Sequence, residues 1–280
     1  MLGTLLKRRT VLAGTLLSLG LGLSMPMAEA QERTPQDPRL VTPGKLTVGT
    51  GDPVYPPWML NNDPAGGEGF ENGLIYALAE EMGFAREDVV WVQTTFDQAI
   101  APGQKNYDFN IQQISVTEAR AEVVTFSQVY FQPDKAVVAL PGSPVEGANS
   151  FEALRGARWG AAVGTTDLTY LEEVLGVFDV SVYDDQIGVF QAMQANQLDA
   201  TVVALPTALF LTAVQIPEAN IVALLPADKN DRGHGLLFQK DNPLVEWVDE
   251  ALSAVIARGV VDELKATYLV ADPDLPIITE

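Results

Sequence analysis

The sequence predicts an α/β protein of two lobes, and three observations carry the prediction. Strand-like and helical segments alternate from Lys45 onward, and the alternation restarts at Ala157. Two apolar strand-like stretches, "KAVVALPGSP" (Lys135–Pro144) and "GHGLLF" (Gly233–Phe238), flank that second run. Alternating strands and helices imply a mostly parallel sheet. A second run bracketed by two connecting strands implies a second sheet, with the chain crossing between lobes twice.

The elements follow in order. "KLTVGT" (Lys45–Thr50) alternates as a strand does, and "GFENGLIYALAEEMGF" (Gly69–Phe84) sets Leu74, Ala77, Leu78 and Met82 on one helical face. "DVVWVQ" (Asp88–Gln93) reads as a strand, Phe96–Ile100 as a short helix and Asp108–Ile114 as a third strand. In the second run, Ala157–Gly164, Val180–Asp184 and Leu198–Leu205 are strands. Thr165–Gly176, Asp185–Gln197 and Pro206–Val214 are helices, the last opening on its proline. The final "NPLVEWVDEALSAVIARGVVDELKATYL" (Asn242–Leu269) is helical, with Leu244, Val248, Leu252 and Val255 on one face, and is expected to return to the first lobe. These readings assign 44–138 and 235–270 to the first lobe and 139–234 to the second, leaving 271–280 as a tail.

Residues 1–30 read as an export signal: a basic start, an apolar stretch from about Val11 to Leu23, and a small-x-small end at Ala28-Glu29-Ala30. The stretch is shorter than the roughly 18 to 20 residues of a spanning helix. Arg8-Arg9-Thr10-Val11-Leu12 is similar to the twin-arginine export motif, and an ordinary signal sequence is the alternative. Residues 31–43, "QERTPQDPRLVTP", are proline-rich and polar and are expected to be a disordered lead-in. The chain has no cysteine, which excludes disulfides, thiol catalysis, cysteine-ligated metal and a lipid-attachment cysteine. The expectation is a protein in the periplasm or outside the cell, soluble after signal removal and not a lipoprotein. The formal charge is −20, from 17 basic and 37 acidic residues. Residues 1–30 carry Lys7, Arg8 and Arg9 against Glu29, a net +2, so the rest carries about −22. Nucleic acid is excluded as a partner, because binding it requires neutralising phosphates with basic side chains.

Six segments then stand in a telling order: "KLTVGTGDPVYPPW", "GFENGLIYALAEEMGF", "YDFNIQQISVTEARAEVVTFSQVYF", "GARWGAAVGTTDLTYL", "YDDQIGVFQAMQANQLDATVVAL" and the helical ending. Together they resemble the type II periplasmic solute-binding proteins of ABC importers, in the branch that takes up polar amino acids, bacterial extracellular solute-binding protein family 3. The resemblance implies two α/β lobes joined by two hinge strands that close on a small ligand, and a closed form that docks on ABC permease subunits in the membrane. It also implies a monomer with no catalytic residues, cofactor or metal.

It further implies that Arg120 pairs with a ligand carboxylate, aided by Ser115 and by the backbone amide and hydroxyl of the Gly164-Thr165-Thr166 turn. The chemistry agrees: a guanidinium presents a planar fork to a carboxylate, and free N–H groups at a helix start favour an anion. A surface role for Arg120, paired with Glu118 or Glu122, is the alternative. Tyr55 and Trp58, in a loop stiffened by prolines, correspond to aromatic positions that pack on the ligand, or they plug the lobe. Asp52 matches an acidic position that in some relatives reaches the ligand's distal group, or it forms an Asp-Pro turn.

One departure stands out. In relatives that bind α-amino acids, a carboxylate on the second lobe pairs with the ligand ammonium. It lies five residues after the position of Asp199, which here is Ala204, and no acidic residue occurs from Ala200 to Pro217. An unpaired ammonium in a closed cleft costs several kcal/mol. Gln113, as the companion of Ser115 on one strand face, could supply the acceptor. So could Asp184 or Asp185, which could also cap a helix, or Glu71. The preferred reading is a carboxylate without an α-ammonium, or a ligand recognised mainly by hydrogen bonds, with a standard amino acid as the alternative. His234 is a hinge or core residue or a ligand contact, and one histidine cannot anchor a metal alone. An enzyme on the same fold, such as a cyclohexadienyl dehydratase-like lyase, is the alternative function. It needs a cleft carboxylic acid with a raised pKa, for which Asp52, Glu71 and Asp185 are candidates.

Overall fold

The structure, a computed structural model, describes residues 33–269 and 275–279. The predicted signal segment lies outside the described residues. In chain order the strands are β1 (Leu46–Thr50), β2 (Val89–Gln93), β3 (Phe109–Asn110), β4 (Val124–Phe131), β5 (Lys135–Ala139), β6 (Trp159–Ala162), β7 (Val180–Tyr183), β8 (Ala200–Ala204), β9 (Asn220–Leu225) and β10 (His234–Gln239). The helices are α1 (Phe70–Glu81), α2 (Phe96–Ile100), α3 (Glu118–Val123), α4 (Phe151–Leu154), α5 (Thr166–Thr169), α6 (Gln186–Gln194), α7 (Leu205–Phe210), α8 (Val245–Ala257) and α9 (Val260–Tyr268). α5 and α7 continue into wider π turns at Tyr170–Val174 and Leu211–Gln215.

The strands form two sheets, ordered β2-β1-β3-β10-β4 and β7-β6-β8-β5-β9. β1 runs parallel to β2 and β3, and β6 parallel to β7 and β8. β10 runs antiparallel to β3 and β4, and β5 antiparallel to β8 and β9. Each sheet is therefore mostly parallel in strand direction, as the sequence predicts, with one reversed strand, β10 in the first and β5 in the second. A parallel neighbour needs a crossover that carries the chain back to its starting end, usually a helix. β5 and β10 are entered directly from the opposite lobe and lack one.

All of β5 belongs to the second sheet, so the first crossing is 132–134 and the boundary expected at 138/139 is displaced. The second crossing, 226–233, ends where β10 joins the first sheet at His234. The described part of the expected disordered lead-in, 33–43, is packed instead. Leu40 is buried in the first core, Asp37 is buried against Arg39 at 2.6 Å, and the Val41 amide donates to Asp108 at 2.7 Å. The described part of the tail, 275–279, likewise joins the second lobe: the Leu224 amide donates to Pro276 at 2.7 Å, the Ile278 amide to Leu224 at 3.0 Å, and Ile278 enters the second core.

α8 and α9 cover the first sheet, with Trp247, Val248, Leu252 and Val255 joining Leu74, Leu78 and Met82 in one core. Gly259, at φ +80°, breaks the predicted single helix in two, a conformation glycine adopts without steric penalty. The predicted third strand shortens to two residues because Gln113 takes φ +52°, which turns the chain out of extended geometry before Ser115.

Asp108 receives both the Val41 and Thr47 amides, each at 2.7 Å. Asp108→Ala leaves two donors without their acceptor and should cost about 2 kcal/mol or more in urea unfolding. Faster hydrogen exchange at the Val41 amide should accompany the loss.

Candidate functional site

Arg120 is placed by a short chain of local causes. Thr117 caps α3 by accepting the Arg120 amide at 3.2 Å, and the bridge between Ser115 and His234 ties the preceding turn to the second crossing. The guanidinium then reaches inward, 9% exposed, donating from Nη1 to the Ser115 carbonyl at 2.7 Å and from Nη2 to the Gly164 carbonyl at 2.8 Å. Ser115 is in the first lobe and Gly164 in the second, so Arg120 spans the junction. Burial lowers its pKa to about 10 while Asp231 and Asp167 oppose the shift, so it stays cationic at neutral pH. A guanidinium has five N–H donors, and two engaged on carbonyls leave three.

Arg120 borders an inner cavity of about 70 Å³ between the lobes. An outer cavity of about 380 Å³ adjoins it, sharing Phe96, Gln112, Gln113, Thr165 and Gln186 as walls. Both lie at the carboxyl ends of parallel strands, where open α/β sheets place their ligands.

Beside Arg120 stands a buried ion cluster. Lys135, 7% exposed at the start of β5, is paired directly with Ala204 of β8. Its Nζ lies 2.7 Å from Asp167 Oδ1, 3.1 Å from Thr166 Oγ1 and 3.6 Å from Asp231 Oδ2. Asp231, from the second crossing, accepts the Gly233 amide at 3.0 Å on Oδ1 and the Ser115 hydroxyl at 2.8 Å on Oδ2. Burial alone would raise the Asp231 pKa, but Lys135, the Gly233 amide and the Ser115 and Thr166 hydroxyls hold it below the usual carboxylate range. Burial disfavours the Lys135 ammonium, yet Asp167 and Asp231 raise its pKa above the ordinary value. Both groups are charged at neutral pH.

The inner cavity gathers Arg120, Ser115, Thr165, Thr166, Trp58 and Gln113, and the outer one Asp52, Tyr55 and Asp185 together with Gln113 and Thr165. Gly164 borders neither and contributes its carbonyl to Arg120. The Thr165 hydroxyl caps α5 by accepting the Leu168 amide at 3.2 Å and donates to the Ala162 carbonyl at 2.8 Å. Trp58 crosses the junction, its Nε1 donating to Thr207 Oγ1 at 2.9 Å, and Tyr55 packs on the apolar clusters of both lobes. Asp185 caps α6 through the Gly188 amide at 2.8 Å and lines the outer cavity.

Gln113 and Glu71 depart from expectation. The left-handed backbone of Gln113 removes it from the strand face of Ser115, and its amide group donates to Glu71. Glu71 also accepts the Gln113 backbone amide at 3.0 Å and the Tyr130 hydroxyl at 2.5 Å, and it borders neither cavity. It therefore supports the cleft from behind. His234 lines the inner cavity with Nδ1 unpartnered among the described residues. Burial, with Lys135 and Arg120 assisting against Asp231, lowers its pKa to about 3, so it is neutral at physiological pH.

Lys135, Asp167, Asp231 and Gln112 escape the sequence reading. Lys135 carries a signal in retrospect, as the one charged residue of an otherwise apolar strand, "KAVVA". The outer cavity has its own character: Asp52, Asp97, Asp184 and Asp185 line it with no lysine or arginine. None of the four makes an ion pair among the described residues.

The family model of the bacterial extracellular solute-binding proteins, family 3, matches residues 46–271. The lysine/arginine/ornithine-binding periplasmic protein of Escherichia coli strain K12 is 29% identical over 163 residues, which are 56% of this chain and 60% of that protein. The histidine-binding periplasmic protein of Salmonella typhimurium is 24% identical over 243 residues, 81% of this chain and 88% of that one. An ancestral arginine-binding protein bound to glutamine matches at a TM-score of 0.68 and 26% identity, over 81% of this chain and 99% of its own.

Burial raises the Glu71 pKa from 4.5 to about 7, with Tyr130 and Gln113 pulling the other way. Between those pH values the folded protein binds this proton more tightly than the unfolded chain, so Glu71 contributes stability at acid pH that is lost as pH rises through about 7. Wild type minus Glu71→Gln stability should therefore fall across that window, by on the order of 3 kcal/mol. Denaturant melts of both proteins at several pH values measure it.

Proposed function

Because the chain belongs to the bacterial extracellular solute-binding proteins, family 3, we propose that it is the solute-binding subunit of an ABC importer. Its lobes clamp a small carboxylate-bearing solute, an amino acid or amino-acid-like, and the closed form delivers it to the permease. The observation that carries this reading is Arg120, a buried cation bordering an interlobe cavity with guanidinium donors still free. A carboxylate is the anion its fork fits. The four aspartates of the outer cavity favour a cationic group at the ligand's far end. The ligands named for the two curated relatives, lysine, arginine, ornithine and histidine, combine a carboxylate with a basic side chain, which agrees with that polarity. The protein works in the periplasm or outside the cell as a monomer, after loss of residues 1–30. No helix of the described residues is long and apolar enough to cross a membrane, and the cysteine-free chain has no lipid-attachment cysteine.

Binding without turnover is favoured over a lyase by the position of Glu71. A general acid must reach the reacting atom, and Glu71, whose pKa burial raises, is turned toward Tyr130 and Gln113, whereas Asp52 and Asp185 line the outer cavity, which Arg120 does not border.

Three outcomes test the proposal. In a thermal-shift screen of small carboxylates, a ligand at a hundred times its dissociation constant should add about 2.7 kcal/mol of stability. Arg120→Ala should weaken binding about a hundredfold or more, and unchanged affinity would contradict the carboxylate clamp. Asp52→Asn combined with Asp185→Asn, which keeps a capping side chain at 185, should weaken cationic carboxylates about tenfold. By titration calorimetry, carboxylates with uncharged side chains should be unaffected.

A further inference from the structure

The titratable groups facing the inner cavity are two cations, Arg120 and Lys135, two carboxylates, Asp167 and Asp231, and the neutral His234. Lys135 lies within 4 Å of both carboxylates, at 2.7 and 3.6 Å. Asp231 is further occupied by the Gly233 amide and the Ser115 hydroxyl. Ala204, the residue paired with Lys135 across β5 and β8, adds no acceptor. Arg120 is the opposite case, a cation whose near partners are carbonyls and which has donors to give.

We propose that Lys135 is a specificity-determining residue whose ammonium occupies the place where a ligand's α-ammonium would find its acceptor. The ligands admitted are then carboxylates with a cationic group at the far end and none on the α-carbon, that is, ω-amino and ω-guanidino carboxylates. This rests on the reading of the cleft as a carboxylate clamp with an acidic outer cavity. The charged acceptors open to an α-ammonium on a carboxylate held by Arg120 are Asp231 and Asp167, both shared with Lys135; Gln112 Oε1, unpartnered among the described residues, offers only a neutral carbonyl. The α-ammonium would stand a few Å from a like charge that cannot leave, in a site where water does not screen the repulsion. A ligand without that group leaves the Lys135 pairs intact and presents its carboxylate to Arg120 and its cation to Asp52, Asp97, Asp184 and Asp185.

The test is titration calorimetry of the purified protein with two matched pairs, L-lysine against 6-aminohexanoate and L-arginine against 5-guanidinopentanoate. The expected result is that in each pair the compound lacking the α-amino group binds about tenfold or more tightly than its amino acid. In the double variant Lys135→Met/Asp167→Asn, which removes one charge of each sign and leaves Asp231 free to accept an ammonium, the preference should move about tenfold or more toward the amino acids. A wild type that prefers L-lysine or L-arginine overturns the inference and leaves the carboxylate clamp standing. So does an unchanged preference in the folded double variant. Binding of neither member of either pair overturns the inference together with the cationic-carboxylate reading beneath it. The wild-type comparison needs no variant, so it decides the matter even where the double variant does not fold.

Discussion

Buried charge has to be paired, and the junction of the two lobes is organised around that requirement. Leaving one ion of a buried pair uncompensated costs several kcal/mol, so Lys135 is paired with Asp167 and Asp231, while Arg120, held by two carbonyls, keeps its charge for an anionic ligand. Asp231 shows the constraint most clearly. It sits on the second crossing, accepts the Ser115 hydroxyl from the first lobe and faces Lys135 from the second. Arg120 joins a carbonyl of each lobe, and Trp58 adds a further bond across the junction to Thr207.

The sheets supply the geometry that makes this cluster possible. The loops after β1, β3, β6, β7 and β8 carry Asp52 to Trp58, Gln112 to Ser115, Gly164 to Asp167, Asp184 with Asp185, and the turn into α7, all at the carboxyl ends of parallel strands. β5 and β10 enter each sheet antiparallel from the opposite lobe. That places Lys135 and His234, the first residues of those strands, beside the cleft.

The alternation of strands and helices was legible because apolar periodicity is a local property. α1, α2 and α6 lie within the segments where the pattern of Gly69–Phe84, Phe96–Ile100 and Asp185–Gln197 puts helices. β4 and β9 were not read as strands, since much of each is only half-buried and the pattern is weak. In the cleft, Arg120 and Ser115 were reached through a resemblance spanning most of the chain. The ion cluster was not legible, because Lys135, Asp167 and Asp231 are distant in sequence and their roles exist only once both crossings are in place. The strand placement of Gln113 failed for a related reason, since the left-handed backbone that turns it toward Glu71 has no glycine to announce it, although Gln113 still lines both cavities. The packed lead-in shows the same limit, since proline-rich composition conceals the partnership of Val41 with Asp108.

The protein as a whole is strongly acidic, with a formal charge of −20, yet two of its few cations are buried together where a ligand would be held. A cationic end toward Asp52, Asp97, Asp184 and Asp185 and an anionic end toward Arg120 would give the ligand one orientation in the cleft. A crystal structure with the captured solute in place tests this most directly. The expected density is a carboxylate on the remaining donors of Arg120 and a cationic group among the four outer aspartates. A solute bound between the lobes with no anionic group on Arg120 would contradict it.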